Sequence, residues 1–294
     1  MHMQDYLKHL PHQWPVVEAM AKAIFKSADA TGGATHHEVT LPPLSADMVK
    51  DFCQWAGARE TAYENCIPGH LFPQWAFPFL AKNIETLPYP MQKVLNQGCE
   101  IRQKGILPLG QSLKVACELV EVKEESARVR IHQRITTGPI EQPDLLVCDL
   151  FGVVVTDSTS SKKKEAPVVS LPWKTVGGWT ASAHEGLAFA MLTGDFNPIH
   201  WIAPYARHFG FDNTILHGFA SLSRTYEVLR QYASHPLDFI PRINVRFTRP
   251  LVLPNKMNVL VQEGELNRIK LVDEKGVNCM VGDYSFESPS GSAS

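Results

Sequence analysis

Alternating apolar and polar residues indicate antiparallel β-strands in both halves of the chain. Residues 258–262, Asn-Val-Leu-Val-Gln, read as one such strand, and several strand-like segments are joined by short polar turns. Antiparallel sheets with one buried face give this pattern. Parallel βαβ winding is disfavoured, because only one long helix-like stretch in each half lies near the strands.

One helix-like stretch in each half carries a single apolar stripe. In residues 218–232 the apolar positions are Phe219, Leu222, Tyr226 and Leu229, which follow the i, i+3, i+7 spacing of a helix with one buried face. Residues 74–87 form the corresponding stretch of the first half. We therefore expect a sheet wrapped around one helix in each half.

The two halves repeat this plan. Residues 106–110 and 251–255 are each an apolar segment broken by proline that leads into a strand pattern, as expected for two copies of one fold. Residues 157–172 are rich in Ser and Lys and predict a linker. The predicted organisation is an N-terminal domain (1–156), this linker, a C-terminal domain (173–286) and a disordered tail (287–294).

Size and charge limit the classes of protein to which this chain can belong. At 294 residues the chain suits two cores, and 44% hydrophobic residues with a mean hydropathy of -0.13 indicate a soluble globular protein. A net charge of -2 disfavours nucleic-acid and anionic-membrane partners. The polar amino terminus lacks the apolar run of a secretory signal, so we expect a cytoplasmic protein.

The six cysteines form no C-x-x-C pair. A chain of this size folds without disulfides, so we expect reduced and mostly buried thiols.

The strongest chemical signal lies between residues 192 and 218. Asp195, Asn197 and His200 fall within six positions, and Pro198 interrupts any continuous helix there. A bent loop therefore presents three polar side chains, as a site that converges on one small molecule requires.

This region resembles the MaoC-like, R-specific enoyl-CoA hydratase family. The family pattern is small-Gly-Asp-x-Asn-Pro-x-His, followed after about seventeen residues by His-Gly at the start of a central helix. Residues 193–200 read Thr-Gly-Asp-Phe-Asn-Pro-Ile-His, and residues 217–218 are His-Gly. The resemblance implies an α+β double hotdog, each half an antiparallel sheet around a central helix.

The first half lacks the motif, although residues 67–68 and 75–78 resemble the degenerate partner domain of two-hotdog members. The resemblance implies that this half is non-catalytic, completes the site and holds the acyl chain. It also implies reversible hydration of trans-2-enoyl thioesters, or dehydration of (3R)-3-hydroxyacyl thioesters, carried by coenzyme A or acyl carrier protein. Two units in one chain leave both a monomer and a homodimer open.

Roles follow from the chemistry of the residues. Asp195 and His200 can share one water, which must lose a proton as it attacks C3 of the substrate, and either of the two is open as the formal base. Asn197 is assigned to fixing the water or the carboxylate. The backbone N–H of Gly218, at a helix start, is assigned to the oxyanion hole.

His217, Phe196, Trp201 and Phe219 are the candidate substrate-binding residues. For His217 a hydrogen bond in the core is the favoured alternative, and for the aromatic residues it is packing. Many family members have an acidic residue where this chain has Ile202, a departure that bears on acyl-chain preference.

Three other functions were weighed. A hotdog thioester hydrolase needs an acid on the central helix, where Glu227 lies two turns past Gly218. A non-catalytic acyl-thioester-binding protein would not need an intact Asp/His pair. A metal site of His200, His208 and His217 lacks the close spacing of a helical pair. We therefore expect no metal and no cofactor.

Overall fold

The computed structural model describes residues 3–11, 13–14, 35–89, 93–156, 172–233 and 239–287. Nearly all of the predicted linker and tail lies outside these residues.

The first half contains seven strands and two α-helices among its described residues. The strands are β1 (His36–Leu41), β2 (Cys66–Ile67), β3 (Val94–Gln103), β4 (Leu107–Pro108), β5 (Leu113–Glu125), β6 (Arg128–Gly138) and β7 (Leu146–Val155). The helices are α1 (Ala46–Ala56) and α2 (Pro73–Glu85), with 3₁₀ segments at Met3–His9 and Gly69–Leu71.

The second half repeats this series with one further short helix. Its strands are β8 (Lys174–Ala181), β9 (Ile215–Leu216), β10 (Arg242–Phe247), β11 (Leu251–Val252), β12 (Asn255–Gln262), β13 (Asn267–Asp273) and β14 (Asn278–Ser285). Its helices are α3 (Glu185–Thr193), α4 (Ala203–His208) and α5 (Gly218–Ala233), with a 3₁₀ turn at Pro198–His200.

The long strands of both halves form one antiparallel sheet. Its order is β1-β5-β6-β7-β3-β10-β14-β13-β12-β8, so the same series of strands runs outward from the central β3–β10 pair in each half. The short strands form two further pairs, β2 with β4 and β9 with β11. These pairs contain the two proline-broken segments whose similarity the sequence predicted.

The sheet curves around the two longest helices, and the apolar core runs through both halves. The predicted stripe of α5, from Phe219 to Leu229, is buried. Phe219 also meets Phe72, the residue before α2, edge to face with ring centroids 5.1 Å apart. The α+β double hotdog predicted from the sequence is the observed fold.

Several strands and helices were not predicted from the sequence. Strands β1, β3 and β8 and helices α1 and α3 were not predicted, and the predicted helix at 74–87 is observed at Pro73–Glu85. Strand β3 contains a bulge near Asn96 and Gly98, which breaks the alternation of apolar residues.

Two other expectations meet direct observations. All six cysteines are free and buried, as predicted. Among the residues that the structure describes, no helix has both the length and the apolar character that a membrane span requires.

Candidate active site

Asp195 lies directly after the C-terminal end of helix α3. The helix stops because Gly194 adopts the left-handed conformation (φ 85°), and the Gly194 N–H donates to the Ala190 carbonyl at 2.7 Å. Glycine takes this conformation without steric cost. The chain therefore leaves the helix axis one residue before Asp195.

The motif residues after Asp195 form a tight turn. The Asn197 backbone N–H donates to Asp195 Oδ1 at 3.3 Å, and the Asn197 Oδ1 accepts from the Ile199 N–H at 3.3 Å. The Asn197 side chain thus caps the 3₁₀ turn that carries His200. The Asp195 carboxylate is therefore held by the backbone N–H of Asn197 and not by its side chain.

The imidazole of His200 is fixed by one hydrogen bond and one ring contact. Its Nδ1 donates to the Ile215 carbonyl at 2.8 Å, which defines the tautomer with Nε2 as a lone-pair acceptor. Its ring stacks on the ring of His217, with centroids 3.6 Å apart. His200 is therefore held next to the first residue of α5.

His217 is buried and braces the site. Its Nε2 donates to the backbone carbonyl of Asp195 at 2.9 Å and lies 3.8 Å from Asp195 Oδ2. Its ring also packs on Phe189 at 4.8 Å. These contacts fit the structural role that the sequence analysis favoured for this residue.

The three titratable side chains converge. One side-chain donor or acceptor atom from each of Asp195, His200 and His217 lies within 4.8 Å of the other two. Atoms separated by up to about 5.5 Å can share a single hydrogen-bonded water. Such a trio can also ligate a metal ion, although His200 Nδ1 and His217 Nε2 already donate to backbone carbonyls, which leaves one nitrogen of each ring for such a role.

Burial sets the protonation of the site. It lowers the pKa of His200 to about 3, an effect to which the neighbouring His217 adds, and it lowers the pKa of His217 to about 3. Burial raises the pKa of Asp195, although His200 and the Asn197 N–H act against it. Both imidazoles are therefore neutral near pH 7, and His200 Nε2 is free to accept a proton.

Gly218 begins helix α5 beside this cluster. The first N–H groups of a helix have no acceptor within the helix, so the Gly218 N–H is available to a bound oxygen. A Cβ at this position would meet the Phe247 ring at 2.6 Å. The close neighbour of Gly218 is therefore a phenyl ring of the protein itself.

The predicted substrate-binding aromatic residues occupy different environments. Phe219 is buried, and its ring lies within 6.1 Å of the rings of Phe72, Phe77 and Phe247. Phe196 is half-buried. Trp201 is 38% exposed, and its Nε1 donates to the Phe196 carbonyl at 3.1 Å.

Two positions that hold the site were missed. The Ile215 carbonyl orients His200, and a backbone acceptor carries no sequence signature. Gly186 of α3 lies against the motif, because a Cβ there would come within 1.9 Å of the His200 carbonyl oxygen. A glycine inside an apolar helix was the available signal for this close approach.

Glu227 and His208, which were considered for hydrolysis and for metal binding, lie outside the cluster of Asp195, His200 and His217. Glu227 is 1% exposed and accepts hydrogen bonds from Tyr63 (2.6 Å) and His70 (2.9 Å), and it also pairs with Arg230. His208 lies exposed at the end of α4.

Comparison with known proteins shows that the second half is similar to one family model. Residues 162–281 match the family model "MaoC like domain". The mouse (Mus musculus) peroxisomal multifunctional enzyme type 2 is 29% identical over 155 residues, which cover 49% of this chain and 21% of that enzyme. The chain thus matches about a fifth of the length of this relative.

Solved structures share the fold of the whole chain. HtdX from Mycobacterium tuberculosis superimposes with a TM-score of 0.68 at 19% identity, covering 84% of this chain and 98% of HtdX. A conserved hypothetical protein of the same organism, described as having a double hotdog fold, gives a TM-score of 0.59 at 11% identity, covering 88% and 97% of the two chains. The chain thus matches a MaoC-like domain over residues 162–281, and its described residues have a double hotdog fold.

Proposed function

We propose that the protein catalyses the reversible hydration of trans-2-enoyl thioesters, equivalently the dehydration of (3R)-3-hydroxyacyl thioesters. A hydratase or dehydratase role is supported by the MaoC-like domain and by the similarity to multifunctional enzyme type 2. The observation that carries the finer proposal is the meeting of Asp195 and His200 within 4.8 Å beside the first residue of α5.

His200 is the group that accepts a proton from water. Its Nδ1–H is committed to the Ile215 carbonyl, and burial keeps the ring neutral, so Nε2 presents a lone pair. In hydration, this nitrogen removes a proton as the water oxygen bonds to C3 of the enoyl group.

Asp195 orients the same water and takes part in the return of the proton. Its Oδ1 is held by the Asn197 N–H, and a pKa raised by burial makes the carboxyl group a competent proton carrier. The proton that His200 takes up is delivered to C2 through this coupled pair. Both groups then regain their starting states, and one water has been added across the double bond.

The backbone N–H of Gly218 stabilises the charge that develops on the thioester oxygen. When water adds to C3, electron density moves to the carbonyl oxygen until C2 is protonated. A helix-terminal N–H next to this oxygen, reinforced by the helix dipole, lowers the energy of that enolate. Phe247 packs behind Gly218, so the glycine N–H is held in place by the core.

The N-terminal domain, 1–156, completes the site from the other side in this proposal. Phe72 and Phe77 at helix α2 contact Phe219 of the second half, so an acyl chain bound at Gly218 would meet an apolar surface built by both halves. Phe196, Trp201 and His217 remain the proposed substrate neighbours on the second half. Coenzyme A and acyl carrier protein both remain open as carriers.

The contacts of Glu227 argue against the hydrolase alternative. A hydrolase on this helix would need an acid free to activate water at the carbonyl. Glu227 is buried, and Tyr63, His70 and Arg230 already bind its carboxylate oxygens.

Incubation with crotonyl-CoA tests the proposal. We expect loss of the enoyl absorbance without release of free thiol, and a lower rate for Asp195→Asn and His200→Gln. Release of thiol would support hydrolysis, and binding without turnover would support a non-catalytic acyl-thioester-binding protein.

A further inference from the structure

An N-terminal segment, residues 3–11 and 13–14, crosses the two short helices α1 and α3. Lys8 and His9 both place a side-chain nitrogen 2.7 Å from Asp51 Oδ2, which lies on α1. Gln13 lies further along the segment, and its side chain is fully buried. The segment therefore connects α1 with the interior of the second half.

Gln13 contacts the end of the helix that delivers Asp195. Its Nε2 donates to the Leu192 carbonyl at 3.1 Å. The last carbonyls of a helix have no partner within it. The neighbouring carbonyls of Phe189 and Ala190 accept from Thr193 Oγ1 (2.8 Å) and the Gly194 N–H (2.7 Å). Gln13 thus supplies a hydrogen bond at this helix end from a distant part of the sequence.

The path from this hydrogen bond to the carboxylate is short. Leu192 and Thr193 are fully buried, and Gly194 turns the chain directly into Asp195. The backbone carbonyl of Asp195 is in turn held by His217. A displacement of the Leu192 carbonyl therefore moves Asp195 relative to His200 and His217, and the buried packing leaves few other directions in which it can relax.

We propose that Gln13 is a positioning residue for the candidate active site: by fixing the end of α3, it sets the place of Asp195 relative to His200. The effect on turnover rests on the proposed hydratase function, whereas the effect on the backbone does not. A catalytic group displaced by a fraction of an ångström costs roughly 10- to 100-fold in rate. We expect this loss in kcat and little change in KM, because Gln13 acts through the backbone at the end of α3.

The Gln13→Met variant isolates the hydrogen bond from the packing. Methionine has a similar length and volume but no N–H donor. Among the described residues, Gln13 Oε1 is buried without a hydrogen-bond partner, so the substitution also removes an unpaired oxygen. The Leu192 carbonyl is left without this donor, which costs stability, and the loss of the unpaired oxygen offsets part of that cost, so a modest fall in the free energy of unfolding is expected. Lys8→Gln, which breaks an exposed contact on the same segment, is the matched control.

Two measurements on the full chain decide the proposal. Hydrogen–deuterium exchange at residues 192–200 should be faster in Gln13→Met than in the wild type and unchanged in Lys8→Gln, and kcat on crotonyl-CoA should fall in the first variant alone. Wild-type exchange at 192–200 in Gln13→Met would overturn the proposal. So would faster exchange in an active enzyme whose kcat is unchanged.

A wild-type protein with no hydration activity would count against the proposed function, and the exchange measurement would still decide the role of Gln13. Should Gln13→Met fail to fold, Gln13→Asn retains the amide but is one methylene too short to reach Leu192, and it is held to the same two outcomes.

Discussion

In each half of the molecule a short helix ends at a glycine in the left-handed region, Gly57 after α1 (φ 88°) and Gly194 after α3 (φ 85°). The residues that follow differ. One position after the glycine the first half has Ala58 where the second half has Asp195. Six positions after it, Tyr63 stands where the second half has His200.

The approaches to the long helices also correspond. Strands β2 and β9 are each followed two residues later by a glycine, Gly69 at the start of the 3₁₀ segment that precedes α2 and Gly218 at the start of α5. A Cβ on Gly69 would meet Gln103 Oε1 at 2.4 Å, and a Cβ on Gly218 would meet the ring of Phe247. The fold thus repeats the glycine and its close packing, whereas the polar residues of the motif occur only in the second half.

Tyr63, at the first-half position that corresponds to His200, joins a buried polar network that spans both halves. Tyr63 donates to Glu227, which His70 and Arg230 also bind. Burial alone would raise the pKa of Glu227, but His70 and Arg230 outweigh it and the pKa is lowered. Among the residues that the structure describes, no arginine or lysine pairs with Asp195, and burial raises the pKa of Asp195. The comparison thus distinguishes the carboxylate of Glu227, which is fixed in a hydrogen-bonded network, from that of Asp195, which can exchange a proton.

The largest expected effect is on the rate after loss of either proposed acid/base residue. Asp195→Asn and His200→Gln should each lower kcat by roughly 10²–10⁴ while the fold is retained. Steady-state kinetics on crotonyl-CoA with circular dichroism of each variant measures this. Wild-type rates in either variant would refute the assignment.

The second prediction concerns Gly186→Val, which gives the second half the residue type found at the corresponding position of the first half. Counted back from the cap glycines, Gly186 corresponds to Val49, and the His200 carbonyl lies against Gly186. Gly186→Val should push the motif turn away and lower kcat by roughly 10- to 100-fold. Val49→Ala is the control, since it alters the corresponding position of the half that lacks the motif, and its kcat should stay within about twofold of the wild-type value. Retention of wild-type turnover by Gly186→Val would show that the close contact does not position His200.

The third prediction concerns stability in acid. His200 and His217 have folded pKa values near 3, below their unfolded values, so the unfolded chain binds more protons between these limits. Stability should therefore fall as pH drops from about 6.5 toward 3, by at most about 1.4 kcal/mol per pH unit for each histidine. The raised pKa of Asp195 offsets part of this loss.

Urea unfolding at a series of pH values measures the slope. A His200→Gln variant lacks one of the two titrating groups. Its free energy of unfolding should therefore fall less steeply with decreasing pH than that of the wild type. Equal slopes would mean that His200 is not held neutral by burial.

The smallest effect is expected from Tyr63→Phe, which removes one hydrogen bond from the network around Glu227. Loss of one hydrogen bond to the buried Glu227 should lower the free energy of unfolding by about 1–3 kcal/mol. The kcat should stay within about twofold of the wild type, because Tyr63 takes no part in the proposed chemistry. A large loss of turnover without a loss of stability would show that the first half contributes directly to catalysis.

The sequence was most informative where function depends on local spacing. The motif from Asp195 to His200 and the helix start at Gly218 lie on one continuous stretch, so residue type and separation were enough to predict that they converge. The apolar stripe of α5 was visible for the same reason, since a 3.6-residue period is a local property.

Contacts between distant residues could not be found in this way. Gln13 lies 179 positions from the carbonyl it binds, and Tyr63 lies 164 positions from Glu227. The acceptor for His200 is a backbone carbonyl, which every residue has. The partners of these groups are fixed by the tertiary fold, which a local pattern does not specify.

The most direct test of the central claim follows oxygen from solvent into product. The protein is incubated with crotonyl-CoA in water labelled with oxygen-18, and the products are separated and weighed by mass spectrometry. The account predicts label in the 3-hydroxyl group of an intact thioester, and its loss in Asp195→Asn. Label in a released carboxylic acid would contradict the account, as would an unlabelled and unchanged enoyl thioester.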